Sequence, residues 1–264
     1  MENFNFHGPR TVGEAQAAMQ AAEDGKFMAG GQSLLPVMKL ELAAPSDVIS
    51  LTAIEGLGDI EADGSTVTIG AAVTHAEVHA SDAVRQAIPA LADLAGGIGD
   101  PQVRNRCTIG GSVAHADPAA DYPAALVGLG ATVVTARREI GADDFFQGMF
   151  ETPLEDDEII TAVRFPVPDK AAYAKFSNPA SGYAIAGVMV SSGRSGIRVA
   201  VTGAGSNVFR VSAMEEALTA DFSTSVLQGI AVDPGDLISD PDASAAYRAH
   251  LVGVMARRAV EACG

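Results

Sequence analysis

Two kinds of hydrophobic spacing along the chain predict a mixture of strands and helices. Residues 58–62 and 66–69 alternate apolar with polar side chains, and Asp63-Gly64 between them is typical of a tight hairpin turn. The tail, residues 242–263, instead repeats its apolar side chains at helical spacing, which predicts an amphipathic helix. The apolar positions of that helix are Ala246, Leu251, Val254, Met255 and Val260.

Cap and turn residues divide the rest of the chain into elements. Thr11 followed by Glu14 predicts a capping box for a helix over residues 12–23, which Gly25 is expected to end. Ser33 is expected to cap the helix that follows it. Further strands are predicted at residues 26–29, 48–51, 131–136, 159–165, 172–177, 184–191 and 196–203. Further helices are predicted at residues 34–40, 75–80, 82–96, 119–128 and 211–219.

Along the chain these elements group into three consecutive units. Residues 1–55 are expected to form a small α/β unit, residues 56–168 a second unit that opens with the hairpin, and residues 169–264 a third, α+β unit. A chain of 264 residues is long enough for several compact domains, which typically contain ~100–150 residues each. Its 48% of hydrophobic residues can form a sizeable core.

Two Gly-Gly stretches with the same layout are the strongest candidates for chemistry. Phe27-Met28 runs into Gly30-Gly31, and Thr108-Ile109 runs into Gly110-Gly111; both steps are expected to be strand-like, and a helix follows each. Glycine pairs let backbone N–H groups approach a ligand closely and form an anion-binding concavity. Asp121, downstream of the second pair, can accept a hydrogen bond from a ribose hydroxyl. The layout suits a nucleotide diphosphate, while plain surface turns use the same residues.

Charge and cysteine content narrow the classes of function. A net charge of −16 and a pI of about 4.5 argue against nucleic-acid partners and anionic membrane surfaces, both of which need a basic protein face. Cys107 and Cys263 are too few for an iron–sulfur cluster or a disulfide framework. The chain has neither a signal-like start nor an apolar stretch approaching the ~20 residues that span a bilayer, so we expect a cytoplasmic protein with no membrane span.

Two other motifs are interpreted as structural. His75 and His79 lie four apart on a predicted helix, but the order HAEVH differs from the HExxH metal motif and a third ligand is not evident, so a solvated helix face is favoured. Residues 203–208, Gly-Ala-Gly-Ser-Asn-Val, imitate a dinucleotide fingerprint, but Val208 occupies the third glycine position. We interpret this stretch as a turn.

The two glycine stretches, AGGQSLLP and TIGGSVAHADPAADYPAAL, resemble those of the flavoprotein (medium) subunits of molybdenum hydroxylases. The resemblance covers essentially the whole chain and is closest to the aerobic carbon monoxide dehydrogenase type, within the wider xanthine dehydrogenase family. It implies an α+β fold: a two-subdomain FAD-binding domain of the vanillyl-alcohol-oxidase/PCMH-like kind, formed by residues 1–55 and 56–168, and a smaller α+β C-terminal flavoprotein domain, residues 169–264. Cys107 stands where this family usually has glycine.

The resemblance also implies the cofactor, FAD, and the residues that bind it. The first loop should hold the pyrophosphate from one side and the second loop from the other, with Asp121 at a ribose or adenine group. Ile98 and Ile160 should pack against the cofactor, Lys175 should approach the flavin ring system and Tyr183 should cover it. The full set is Ala29, Gly30, Gly31, Gln32, Ser33, Leu34, Ile98, Thr108, Gly110, Gly111, Ser112, His115, Asp121, Ile160, Lys175 and Tyr183. No residue is assigned an acid–base catalytic role, and no metal ligand is expected.

The resemblance implies an electron-transfer subunit in a larger complex. A small [2Fe–2S] subunit would supply electrons, a large molybdopterin subunit would oxidise the substrate, and an external acceptor such as a quinone or NAD would receive the electrons. Carbon monoxide is the first substrate expected, with aldehydes and N-heteroaromatics as alternatives. A self-sufficient flavoenzyme of the UDP-acetylenolpyruvoylglucosamine-reductase type would need a substrate-binding cluster of cationic side chains, and a non-catalytic nucleotide-binding regulator is the third hypothesis.

Overall fold

Three sheets, each built from one stretch of the chain, organise this computed structural model, which describes residues 1–263. The first sheet is parallel and belongs to the N-terminal stretch, where two helices connect its strands. The bounds of these elements are β1 Asn5–His7, α1 Val12–Ala21, β2 Gly25–Met28, α2 Leu34–Lys39 and β3 Asp47–Ser50. The strand order is β1-β3-β2, so the predicted strands at 26–29 and 48–51 lie side by side, with the first glycine loop leaving the end of β2.

The second sheet is antiparallel and carries the helices that surround the second glycine pair. The predicted hairpin is confirmed, with Ile60 opposite Ile69. The elements are β4 Ile60–Ala62, β5 Thr66–Gly70, α3 His75–Ala80, α4 Asp82–Ala87, α5 Pro89–Gly96, α6 Pro101–Arg104, α7 Ile109–His115, α8 Tyr122–Leu129, β6 Thr132–Thr135, β7 Glu139–Gly141, α9 Ala142–Phe145 and β8 Ile160–Pro166. The five strands lie in the order β4-β5-β8-β6-β7.

The third sheet is antiparallel and has helices on both faces. Its elements are β9 Lys170–Ser177, β10 Ala184–Gly193, β11 Gly196–Thr202, β12 Phe209–Arg210, α10 Ser212–Ala220 and α11 Ala245–Ala262, with short 3-10 turns at Ser225–Leu227 and Pro234–Asp236. The strand order is β12-β11-β10-β9. Side chains on a strand alternate between faces. Met189 of β10 therefore packs in the same core as α8, while Val188 and Val190 pack in the core that contains α11. The mixed α+β class is confirmed.

The structure differs from two helix predictions, one at a proline and one at a glycine. The single helix expected at 82–96 is two helices, because Pro89 disfavours helical backbone at Ile88, which has φ −140° and ψ 73°. The capping box of Thr11 and Glu14 is confirmed, but α1 ends at Ala21 and Gly25 begins β2 instead. A Cβ at Gly25 would lie 2.6 Å from the sulfur of Met19, so close packing explains that glycine.

The strand-like step predicted before the second glycine pair holds for Thr108, which has extended backbone angles and forms an isolated antiparallel bridge with Thr74, but is wrong for Ile109, which begins α7. Thr108 is the N-cap of α7, and its side chain accepts a hydrogen bond from the Gly111 N–H at 3.1 Å, so both glycines lie in the first turn of a helix. The expected Ser33 cap is also corrected. Ser33 precedes α2 but has helical backbone angles, and its side chain makes no capping hydrogen bond.

Candidate functional site

A cavity of about 710 Å³ brings the two glycine loops together and is lined by residues from all three units. Its volume is within the range of small-molecule and cofactor pockets. Every predicted binding residue except Lys175 lines it: Ala29, Gly30, Gly31, Gln32, Ser33, Leu34, Ile98, Thr108, Gly110, Gly111, Ser112, His115, Asp121, Ile160 and Tyr183. Residues almost 160 positions apart in the sequence, from Lys26 to Tyr183, therefore line the same cavity.

The first glycine loop presents backbone donors that the protein leaves unused. Within residues 1–263, no acceptor is assigned to the N–H groups of Gly30, Gly31, Gln32 and Ser33, although all four residues line the cavity. Gly31 has φ +74°, a left-handed conformation that glycine adopts without strain. Successive free N–H groups at such a turn form an anion-binding concavity.

The first loop is packed so tightly against the second stretch that a side chain has no room at Gly30. A Cβ there would lie 2.2 Å from the Arg106 carbonyl oxygen and 2.7 Å from the Cys107 Cα. A Cβ at Gly111 would approach the Ala29 Cβ at 3.4 Å. The two glycine loops therefore lie against each other, and backbone atoms occupy the space beside Gly30.

The second glycine loop uses its own backbone donors for folding. Ile109 N donates to Val73 O at 3.0 Å, and Gly110 N donates to Ala71 O at 2.9 Å. Gly111 N is bound by the Thr108 cap. These hydrogen bonds hold the start of α7 against the stretch after β5. This loop therefore shapes the cavity by close approach, while the free donors belong to the first loop.

Asp121 and Lys175 form a buried ion pair beside the cavity. Lys175 Nζ lies 3.0 Å from Asp121 Oδ2, and the Tyr173 hydroxyl donates to Asp121 Oδ1. Burial raises the pKa of Asp121, against the opposing effect of the Lys175 charge, and also raises the pKa of Tyr173. Asp121 thus lines the cavity while its carboxylate is held by two side chains of β9.

Lys175 also positions the turn that carries Tyr183. Its Nζ donates to Gly97 O at 2.9 Å and to Gly182 O at 3.1 Å, so it joins the end of α5 to this turn. The turn is closed by Asn178 N, which donates to Tyr183 O at 2.8 Å. Tyr183 remains 47% exposed at the cavity wall. An aromatic ring is therefore presented at the opening, on a turn held by a buried cation.

Apolar side chains and one buried carboxylate also line the cavity. The apolar residues include Leu51, Leu57, Ile159 and Ile160. Glu158, directly before Ile159, is buried and accepts hydrogen bonds from Arg138 and from the Thr135 hydroxyl. These hydrogen bonds, Arg138 foremost, lower the pKa of Glu158 to about 2. The carboxylate is therefore ionised and fully paired at neutral pH.

The sequence of this cavity-forming region matches a known family. Residues 2–168 match the family described as FAD binding domain in molybdopterin dehydrogenase. This match covers both glycine loops and most of the cavity wall.

The chain belongs to this FAD-binding family.

Relatives of the full length support the same assignment. The carbon monoxide dehydrogenase medium chain of Hydrogenophaga pseudoflava is 36% identical over 98% of this chain and 96% of its own length. The nicotine 6-hydroxylase medium subunit of Paenarthrobacter nicotinovorans is 38% identical over 99% of this chain and 97% of its own length. The solved structure of carbon monoxide dehydrogenase from Hydrogenophaga pseudoflava, which lacks the Mo-pyranopterin moiety, aligns with a TM-score of 0.90 at 36% identity, covering 99% of this chain and 97% of the other.

The residues present fit FAD, the cofactor of this family. The unused N–H groups of the first loop, whose residues line the cavity, suit a pyrophosphate. The apolar side chains around Ile160 suit a planar ring. In the part of the chain that the structure describes, no helix is long and apolar enough to cross a membrane.

His75 is a cavity residue that the sequence interpretation misplaced. The helix-face interpretation is wrong for His75, which is 2% exposed and lines the cavity. His79 is directed elsewhere, with Nδ1 at 2.9 Å from Ala92 O. The HAEVH spacing does not indicate which of the two histidines faces the interior. That direction depends on how α3 packs against α5 and the second glycine loop.

Proposed function

We propose that this chain is the FAD-binding, electron-transferring subunit of a molybdenum hydroxylase complex. The observation that carries the proposal is the unused donor set of the first glycine loop, whose residues line a cavity of cofactor size in a chain of this FAD-binding family. Full-length similarity to proteins named as medium chains supports the same role. The chain binds and orients the cofactor, and other subunits supply substrate chemistry.

Each part of the proposed FAD site has a distinct task. The N–H groups of Gly30 to Ser33 bind the pyrophosphate, and the second loop closes on it from the other side. The apolar group around Ile160 holds one end of the cofactor, and Ile98 and Tyr183 shield the other from water. Asp121 of the second unit and Lys175 of the third unit orient the cofactor. Bound FAD supplies the redox chemistry that joins one-electron donors to an acceptor.

We further propose that the electron donor is a small [2Fe–2S] subunit and that a large molybdopterin subunit oxidises the substrate. Two cysteines cannot hold a cluster of four thiolate ligands, so the donor centre must come from another chain. Cytoplasmic location and transfer to a quinone or NAD belong to the same proposal. The names of two relatives, as medium members of a dehydrogenase and a hydroxylase, and of a third, as a subunit of a dehydrogenase complex, support the proposal.

A self-sufficient flavoenzyme is disfavoured because three of the four candidate cations of the third unit, Lys175, Arg198 and Arg210, are already paired, and the fourth, Arg194, is exposed and does not line the cavity. Lys175 is paired with Asp121, Arg198 is paired with Asp143, and Arg210 binds Glu215 at 2.7 Å. A substrate-binding cluster would need these side chains free and directed into the cavity. The ion pairs therefore give Lys175, Arg198 and Arg210 a structural role.

The substrate is proposed to be carbon monoxide, by similarity to the carbon monoxide dehydrogenase medium chains. The relative named nicotine 6-hydroxylase medium subunit is equally similar, so nicotine-like N-heteroaromatics are the second class to test. Because the medium subunit does not contact the substrate in this proposal, the choice is made by the large subunit.

The test is purification of the complex through a tag on this chain, with absorption spectroscopy and metal analysis. We expect flavin bands, iron and molybdenum with two co-purifying chains, and bleaching of the flavin on addition of carbon monoxide or an N-heteroaromatic. Reoxidation by a quinone or by NAD then identifies the acceptor. A yellow single chain that turns over a substrate without iron or molybdenum would contradict the proposal and favour a self-sufficient enzyme.

A further inference from the structure

His75 is a buried polar side chain at the cavity wall whose ring has no partner in the protein. Its Nδ1 is fully buried without a hydrogen bond, and within residues 1–263 no group hydrogen-bonds its Nε2. Buried polar groups are normally satisfied, since leaving one unpaired is unfavourable. His75 also lines the cavity, and its Nε2, unlike Nδ1, is not fully buried, so a ligand in the cavity is the available partner of Nε2.

Packing fixes the place of His75 along the cavity. Its backbone N donates to Cys107 O at 3.0 Å, and Cys107 N in turn donates to Val103 O at 2.8 Å. Val103 packs against Gly99, and a Cβ at Gly182 would lie 3.6 Å from the Gly99 Cα. These residues form a continuous wall from His75 to the Tyr183 turn. His75 is therefore connected to the Tyr183 turn through residues that all line the cavity.

The environment keeps the imidazole neutral. Burial, with a smaller effect from the Arg104 charge, lowers the pKa of His75 to about 4. A neutral imidazole offers one donor and one acceptor nitrogen. The ring is packed against Tyr122, with 5.2 Å between ring centroids, so its orientation is held by the core. Because Nδ1 is fully buried, Nε2 is the nitrogen left to a ligand.

We propose that His75 is a further FAD-binding residue, whose Nε2 hydrogen-bonds the ribityl–isoalloxazine half of the cofactor. The inference rests on the proposed function, in which FAD fills this cavity. The glycine loops take the pyrophosphate, and the wall from His75 to Tyr183 lies on the side proposed for the flavin ring. His75 thus recognises the part of FAD that ADP lacks.

The test compares FAD with ADP as ligands of the full-length chain, prepared without cofactor. We expect His75→Phe, which keeps a ring but removes both nitrogens, to weaken FAD binding roughly tenfold and to leave ADP binding within about twofold. His75→Gln, whose amide reaches the place of Nε2, should recover most of the FAD affinity. The matched control is His79→Gln on the same helix, which should bind both ligands like the wild type.

A second measurement needs no variant. In the wild-type chain with ¹⁵N-labelled histidine, addition of FAD should shift the His75 Nε2 resonance, and addition of ADP should leave it in place. Equal losses of FAD and ADP affinity in His75→Phe, unchanged FAD affinity, or an unmoved Nε2 resonance would each overturn the proposal. If the wild-type chain binds no FAD at all, the proposed function fails as well, so the two failures are distinguishable.

Discussion

The absence of a side chain at Gly30 sets the distance between the two halves of the cavity. The Arg106 carbonyl and the Cys107 Cα occupy the space that a Cβ would need. Neither is the end of a flexible side chain, so the backbone itself would have to shift. The neighbouring N–H groups, which have no partner in residues 1–263, would move with it. One glycine therefore controls both packing and the proposed pyrophosphate contact.

We expect Gly30→Ala to lower FAD affinity by at least about tenfold and the free energy of unfolding by about 2 kcal/mol, because overpacking against backbone cannot relax cheaply. Fluorescence titration with FAD and urea unfolding measure the two effects. The matched control is Gly13→Ala in α1, where a Cβ meets nothing within 4 Å. That variant should bind FAD normally and gain stability, since alanine favours helix. Normal FAD binding by Gly30→Ala would contradict the assignment of this loop.

Glu158 offers a prediction with a defined pH window. Its folded pKa of about 2 is depressed below the ordinary 4.5, so its contribution to stability is present above pH 4.5 and is lost as the pH falls towards 2. Glu158→Gln should cost about 2 kcal/mol at pH 7 and much less at pH 3. Urea unfolding at both pH values tests this, with the exposed Glu155→Gln as control. A cost that does not change with pH would show that the charge is not responsible.

At the scale of elements, the same capping chemistry serves two different purposes. Thr11 caps α1 at the surface, and Thr108 caps α7 at the cavity wall. Both side chains accept a hydrogen bond from the N–H three residues later. In α7 that N–H belongs to Gly111, one of the glycines facing the first loop. The Thr108 cap therefore supports the helix and the shape of the cavity together.

We expect Thr108→Val and Thr11→Val to lower the free energy of unfolding by about 1 kcal/mol each, because each removes one N-cap. FAD affinity should fall at least about fivefold in Thr108→Val alone, since its glycine turn loses the hydrogen bond that fixes it. Parallel thermal unfolding and FAD titration of the two variants check this. Equal FAD affinity in both variants at equal stability would mean that the cap has no part in the cavity.

At the scale of the whole molecule, the stretch between α7 and α8 docks onto the third sheet. The Thr202 hydroxyl donates to Ala120 O at 2.6 Å, and Gly203 N donates to Pro118 O at 2.8 Å. Asp121 follows directly and pairs with Lys175 of β9, both side chains being at most 10% exposed. The third unit thereby holds the cavity wall in place. Breaking such a buried pair leaves an uncompensated charge.

We expect Lys175→Met to lower the free energy of unfolding by about 3 kcal/mol, because the Asp121 carboxylate stays buried without its partner. The double variant Lys175→Met with Asp121→Asn should cost clearly less than the sum of the single changes, with a coupling of about 1–3 kcal/mol. A double-mutant cycle by urea unfolding of the cofactor-free chain measures this coupling. Additive losses would show that the two side chains act independently.

Local chemistry in the sequence was sufficient for most elements, and the family resemblance of the glycine motifs gave the cofactor. Period-two alternation, the Asp63-Gly64 turn and the Thr11 capping box depend on neighbouring residues, so they can be read without a fold, and the structure has each of them. Even the error at Ile109 was local, because the threonine before it suits either a strand end or a helix cap. The two glycine motifs by themselves suited a nucleotide diphosphate; FAD was implied by their resemblance to a flavoprotein family, and FAD is the cofactor of the family. The three domain boundaries and the individual cofactor contacts stay predictions.

Tertiary packing decided what no local pattern contains. His75 and His79 have the same residue type and lie on the same helix, yet one enters the cavity wall and the other bonds to Ala92. Likewise, Asp121 and Lys175 are more than fifty positions apart and meet because β9 lies against the α7–α8 stretch. Which donors remain free was also set by packing, since the second glycine loop uses its N–H groups on Val73 and Ala71. The sequence determined most of the elements because those depend on short-range chemistry, and its resemblance to a known family gave the ligand, whereas burial and pairing depend on which distant surfaces exclude water together.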